Sequence, residues 1–283
     1  MSSIGLLLIV YGALPTIRAV AVAHPAHKPV CCKTPADFGL KYEDVSFQTK
    51  NDLTLRGWYI PGKNRAAVII THGFGGNRAD YLEPAAVLVQ HNFSVLSIDL
   101  IAHGDSEGDV LTLNGEDVLA AVAFLKSQTE VDSSRIGVWG FSLGGLVSIQ
   151  AAAQSNEIQA VAADGPFPVV TTEDMPPPEH ITDLLWIPFD WMQHNALALQ
   201  GVSAKYSTIE ALHRITPRPV LLVAGIQNNG ERRVLEQYYT KANQTVTLWE
   251  IPEAGHVGGW WARPQEYAQR IIKFFEQALL GNK

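Results

Sequence analysis

Gly140-Phe141-Ser142-Leu143-Gly144-Gly145 decides how the rest of the chain is read. The stretch follows a β-rich apolar run, Arg135-Ile136-Gly137-Val138-Trp139, and precedes a helical pattern that opens Leu146-Val147-Ser148-Ile149. A serine on a sharp strand-to-helix turn sits in strained backbone, so the residues two positions either side of it must lack a bulky Cβ. Gly140 and Gly144 meet that need. The helix that follows offers free N–H groups and a positive dipole end to an oxyanion. Ser142 is therefore a candidate nucleophile. An ordinary Gly/Ser loop entering a helix is the plainer alternative, and the flanking strand and helix count against it.

Outward from this turn the pattern alternates. The apolar run Ala66–Thr71, and after it the largely apolar runs Phe93–Ile98, Arg135–Trp139, Ile158–Ala163, Val220–Ala224 and Val246–Ile251, read as strands covered on both faces. Helical patterns lie between them, at Ala79–Gln90, Glu116–Lys126, Ser142–Gln154, Glu231–Ala242 and Pro264–Leu280. Before them, Val45–Gln48 and Leu53–Ile60 flank the turn Lys50-Asn51-Asp52 as an antiparallel hairpin. The fold class is thus α/β, with a mostly parallel doubly wound sheet opened by a hairpin. Residues 165–216 break the alternation with no clean strand, several prolines and the aromatics Trp186, Phe189 and Trp191. An insertion of that length reads as a lid of short helices.

The chain has 283 residues, 47% hydrophobic and 17% charged, which suits one large globular domain. A net charge of −7 without a Lys/Arg run argues against nucleic acid as a partner. The apolar run in residues 1–23 is short for a membrane span and reads as a signal-peptide h-region or an N-terminal anchor, although no Lys or Arg precedes it. Export or membrane association follows from that reading, and a buried helix in a cytoplasmic protein is the alternative. Residues 24–41, rich in Pro, Lys and His, read as a linker leading into a domain at 42–283. The only cysteines, Cys31 and Cys32, are adjacent and are expected to stay free, because neighbouring cysteines pair under strain. No metal is expected: His24 and His27 lack a third ligand, and Asp99 and Asp105 lack a histidine at ligand spacing.

As a set, these motifs resemble the α/β-hydrolase fold, in particular its bacterial esterase and serine-peptidase-like branch with a short lid. The resemblance covers residues 42–280 and rests on the Ser142 turn, Thr71-His72-Gly73-Phe74-Gly75-Gly76-Asn77, the turn from Asp99 to Gly108, and Gly255-His256. It implies acyl transfer through a covalent intermediate, with Ser142 attacking a carbonyl and His256 shuttling the proton. It also implies an oxyanion hole from the N–H groups of Phe74 and Leu143, and no cofactor. His72 and His103 shape turns in such proteins.

The acid departs from the family pattern. About three residues past Gly225 an aspartate is expected, and Asn228 stands there. Glu231 is the first substitute, since it could reach back from the start of the next helix. Asp164, at the end of an earlier strand, is the alternative acid. The leading function is hydrolysis of a small carboxylic ester, and an amide or peptide is the rival substrate. A decayed member of the fold that only binds is the rival of another class, prompted by Asn228.

Overall fold

A computed structural model of the chain describes residues 5, 7, 9–166, 168, 174–227, 229–242 and 245–281. Its centre is an eight-stranded sheet in the order β1-β2-β4-β3-β5-β6-β7-β8. The strands are β1 (Glu43–Gln48), β2 (Thr54–Ile60), β3 (Ala67–Thr71), β4 (Ser94–Ile98), β5 (Ile136–Phe141), β6 (Ile158–Asp164), β7 (Val220–Gly225) and β8 (Val246–Ile251). β1 pairs antiparallel with β2, and β2 antiparallel with β4; every other pairing is parallel.

The apolar runs form strands because both faces of the sheet are covered. Val68 and Ile70 of β3 join Val95, Trp139 and Phe141 in one core, while Ala67 and Ile69 join Leu96 and Val138 in the other. This period of two across continuously apolar strands splits the core into two layers. Each buried Val, Ile or Phe contributes about 1.5–3 kcal/mol of transfer free energy. The helices that cover the sheet include α2 (Leu82–Gln90), α3 (Glu116–Lys126), α4 (Leu143–Gln154), α7 (Asn229–Lys241) and α8 (Pro264–Phe275). The helix expected from Ala79 begins at Leu82. Before it, the Asn77 side chain accepts the N–H of Ala79 and the Asp80 carboxylate accepts that of Asn77, which hold a turn instead.

The insertion between β6 and β7 carries a 3₁₀ turn at Ile181–Leu185 and the helices α5 (Ile187–Leu199) and α6 (Thr208–Ile215). Residues 167 and 169–173 of the expected lid lie outside the described residues. Asp174 ties the insertion to the domain through its main-chain carbonyl, which accepts from Gln237 Nε2 of α7 at 3.0 Å, while its carboxylate accepts the N–H groups of Thr208 and Ile209 within the insertion.

Residues 24–41, read as a linker, are laid along the domain. The His24 and His27 rings meet backbone carbonyls of the loop after β4, His24 at Asp109 (2.8 Å) and His27 at Gly104 and Gly108 (3.0 and 3.1 Å). Polar side chains reaching main-chain groups hold a segment that has no apolar period. One expectation for the N-terminal part needs correction: Cys31 and Cys32, expected to stay free, are joined in a disulfide. Cys32 has a left-handed φ of 76°, a backbone turn that the expectation of two free thiols did not include. Ahead of them, α1 (Leu14–Ala23) packs against α5 and buries Ala19 and Ala23 completely.

Candidate active site

The C-terminal edge of the sheet gathers the predicted residues. Ser142 leaves β5 with φ 51° and ψ −113°, a conformation that costs a non-glycine residue on the order of 1–3 kcal/mol. Its neighbours make that turn feasible. A Cβ on Gly140 would lie 2.3 Å from the Gly144 carbonyl oxygen, and one on Gly144 would lie 2.3 Å from the Thr71 carbonyl oxygen. Only hydrogen fits at either position. The Ser142 N–H donates to the Asp164 carbonyl at 2.7 Å, which pins the turn to the adjacent strand end.

His256 comes from the loop after β8. Its Nε2 lies 2.9 Å from Ser142 Oγ, and its Nδ1 lies 2.5 Å from Glu231 Oε2. Glu231 sits in the first turn of α7 and is fully buried. Its second oxygen, Oε1, accepts the N–H of Gly225 at 3.1 Å, so the end of β7 fixes the carboxylate plane. The Glu231 hydrogen bond raises the His256 pKa above its usual value, and partial burial opposes the rise.

The two candidate acids occupy different places. Asp164 Oδ2 accepts the Tyr267 hydroxyl at 2.7 Å, and among the described residues no hydrogen bond reaches its buried Oδ1. Burial pushes the Asp164 carboxyl up to about 7, against the Tyr267 hydrogen bond and with the nearby Glu231 charge adding to the rise. It is Glu231 whose carboxylate meets the imidazole. Asn228 lies outside the described residues.

Phe74 and Leu143 flank the serine from two sides. Leu143 is the first residue of α4, and a Cβ on Gly73 would stand 3.4 Å from Ser142 Cβ, which puts the β3 loop beside Ser142. His72 fixes that loop: its Nδ1 donates to the Gly73 carbonyl at 2.7 Å and its Nε2 accepts the N–H of Leu100 at 3.1 Å. Burial lowers His72 and His103 to about 4 each, so both are neutral near pH 7. Asp99 and Asp105 meet Arg78 in ion pairs, and Asp99 also accepts the N–H groups of Arg78 and Asp105. A pocket of about 430 Å³ opens over Ser142 and His256 between Phe74, Tyr81 and Val257.

Some supporting residues carried no signal in the sequence. Tyr267, which holds Asp164, reads only as an apolar position of the last helix. It packs in an aromatic cluster with Trp139, Trp249 and Trp260 beneath the His256 loop.

Comparison with known proteins places this architecture. The model of the "Alpha/beta hydrolase family" matches residues 68–270. The alpha/beta hydrolase domain-containing protein WAV2 of Arabidopsis thaliana is 27% identical over 264 residues, which cover 86% of this chain and 82% of that protein. A thiohydrolase of Eupenicillium brefeldianum is 37% identical over 134 residues, 44% of this chain and 43% of that protein. The matched stretch thus spans under half of that relative's length. The solved esterase of Pyrococcus furiosus superposes with a TM-score of 0.71 at 26% identity, covering 90% of this chain and 98% of that one. A family match over most of the chain, on a sheet of this order, makes the protein a member of the alpha/beta hydrolase family.

Proposed function

We propose that the protein is a serine hydrolase that cleaves a small carboxylic ester through an acyl-enzyme. The observation that carries this reading is the continuous chain of contacts from Ser142 Oγ to His256 Nε2 and from His256 Nδ1 to Glu231 Oε2, at 2.9 and 2.5 Å. In the acylation step Ser142 Oγ bonds to the ester carbonyl carbon while His256 Nε2 takes the hydroxyl proton. Glu231 holds the imidazole with Nδ1 protonated, so that Nε2 is free to accept, and its charge stabilises the imidazolium. The N–H groups of Leu143 and Phe74 hold the oxyanion. Collapse breaks the C–O bond, His256 returns the proton to the departing alcohol, and water repeats the sequence to release the acid.

The test is hydrolysis of p-nitrophenyl esters of increasing acyl length by the wild type and by Ser142→Ala. Turnover that disappears in the variant supports the reading, and a folded wild type inert on the whole series counts against it. The matched thiohydrolase favours including acyl thioesters, whose cleavage needs the same nucleophile and base.

For the N-terminal segment we propose retention on the domain at a membrane surface rather than removal as a leader. Ala19 and Ala23 are buried in the core, while Ile17, Trp186, Ile187 and Trp191 are exposed on α1 and the insertion packed against it. No helix among the described residues is long and apolar enough to cross a membrane. A mature N-terminus mapped beyond Ala23, or unchanged fractionation on removing residues 1–23, would refute this.

A further inference from the structure

The segment ahead of the hydrolase sheet reaches into the catalytic pocket. Lys28 lines the same pocket of about 430 Å³ as Ser142 and His256, and among its described lining residues it is the only lysine or arginine. Its main chain sets its position. Asn77, at the end of the β3 loop that carries Phe74, donates from Nδ2 to the carbonyls of both Lys28 and Pro29 at 3.3 Å. The neighbouring His27 ring is held between Gly104 and Gly108. The ammonium is thereby presented by a braced segment rather than by a free tail.

One proton of Lys28 Nζ goes to Asp80 Oδ1 at 3.2 Å, and the other oxygen of Asp80 accepts the N–H of Asn77. The carboxylate is shared with the loop, whereas the ammonium has three donors and a side chain 56% exposed. Asp80 lines the same pocket and the chain as a whole carries −7, so Lys28 is the group among the described lining residues that offers a substrate anion a lysine or arginine cation.

We infer that Lys28 selects esters bearing a second, anionic group, a carboxylate on either the acyl chain or the alcohol. The inference rests on the serine-hydrolase reading and adds to it the charge of the substrate. Lys28 acts on binding, and no bond is made or broken at it. A lysine–carboxylate hydrogen bond at a half-exposed position is expected to favour the anionic ester by about tenfold.

The experiment compares kcat/KM for mono-p-nitrophenyl adipate and 4-carboxyphenyl hexanoate, each as a ratio to p-nitrophenyl hexanoate. The first probe places the carboxylate on the acyl side and the second on the alcohol side. The wild type, Lys28→Ala, Lys28→Arg and Lys33→Ala are assayed, with thermal melts as the check on folding. The ratio for one of the two probes should fall about tenfold in Lys28→Ala, hold in Lys28→Arg and stay unchanged in Lys33→Ala, a cation of the same segment outside this pocket. In the wild type, that ratio should also shrink in about 0.5 M NaCl. If Lys28→Ala fails to fold, the salt dependence of the wild type decides. Ratios that neither Lys28→Ala nor salt changes would overturn the inference while leaving the hydrolase reading in place. A folded wild type inert on all three esters would remove the hydrolase reading, and this inference with it.

Discussion

Replacing Glu231 by glutamine tests the site where it is most specific. The carboxylate accepts from two sides: Oε1 takes the Gly225 N–H and Oε2 faces His256 Nδ1. In Glu231→Gln the amide oxygen stays on the Gly225 N–H, because an NH₂ there would set donor against donor in a fully buried position. The amide NH₂ is then turned to His256 and donates to Nδ1. The imidazole must carry its proton on Nε2, which can no longer take one from Ser142. The charge that stabilises the imidazolium is lost as well. In a serine-protease triad the corresponding change lowers kcat by about 10⁴, or about 5.4 kcal/mol at 1.36 kcal/mol per factor of ten. We expect a loss of that order, at an unchanged melting temperature within a few degrees. Asp164→Asn serves as the counterpart. Burial already favours the neutral Asp164 carboxyl, and an asparagine oxygen can keep the Tyr267 hydrogen bond, so the loss should be under about tenfold. The assay is p-nitrophenyl ester turnover under saturating and limiting substrate. Glu231→Gln within tenfold of wild type, or the larger loss in Asp164→Asn, would refute the assignment of the acid.

Three further outcomes follow from the same geometry. The Glu231 hydrogen bond raises the His256 pKa and the proposed reaction needs the neutral imidazole, so activity should be lost as pH falls through that raised value. The acid limb of kcat/KM should lie above about 6.5, the usual histidine value, and a limb below it would contradict the pairing. Gly144→Ala forces a Cβ against the Thr71 carbonyl, which should cost about 1–3 kcal/mol in urea unfolding and displace Ser142 from His256; full stability with full activity would be contrary. Arg78→Met strips a buried carboxylate, Asp99, of its cation and should cost about 3–5 kcal/mol in the same assay, whereas a change under about 1 kcal/mol would show that the backbone donors alone suffice.

The sheet was legible because its central strands are buried on both faces. Ala66–Thr71 and Phe93–Ile98 are short, largely apolar runs whatever lies elsewhere in the chain, and they pair side by side as the parallel strands β3 and β4. The turn at Ser142 was legible because two glycines are sterically required there. The choice between Glu231 and Asp164 was not settled by pattern, since both are carboxylates near a strand end. Three-dimensional placement separates them, with one aimed at an imidazole and the other at Tyr267. What holds residues 24–41 was not legible for a different reason. Segments fixed by side chains on distant main-chain carbonyls, as His27 is on Gly104 and Gly108, leave no period in the sequence. The joined pair Cys31–Cys32 likewise depends on a local backbone turn that residue types do not announce.

Whether Ser142 is the nucleophile is read by intact-mass spectrometry after brief treatment with a fluorophosphonate, which phosphonylates an activated serine with loss of fluoride. One adduct per chain is expected, mapped by peptide digestion to Ser142, absent from Ser142→Ala and formed far more slowly in Glu231→Gln. A folded wild type that takes up no adduct, or takes it up at another residue, would contradict it.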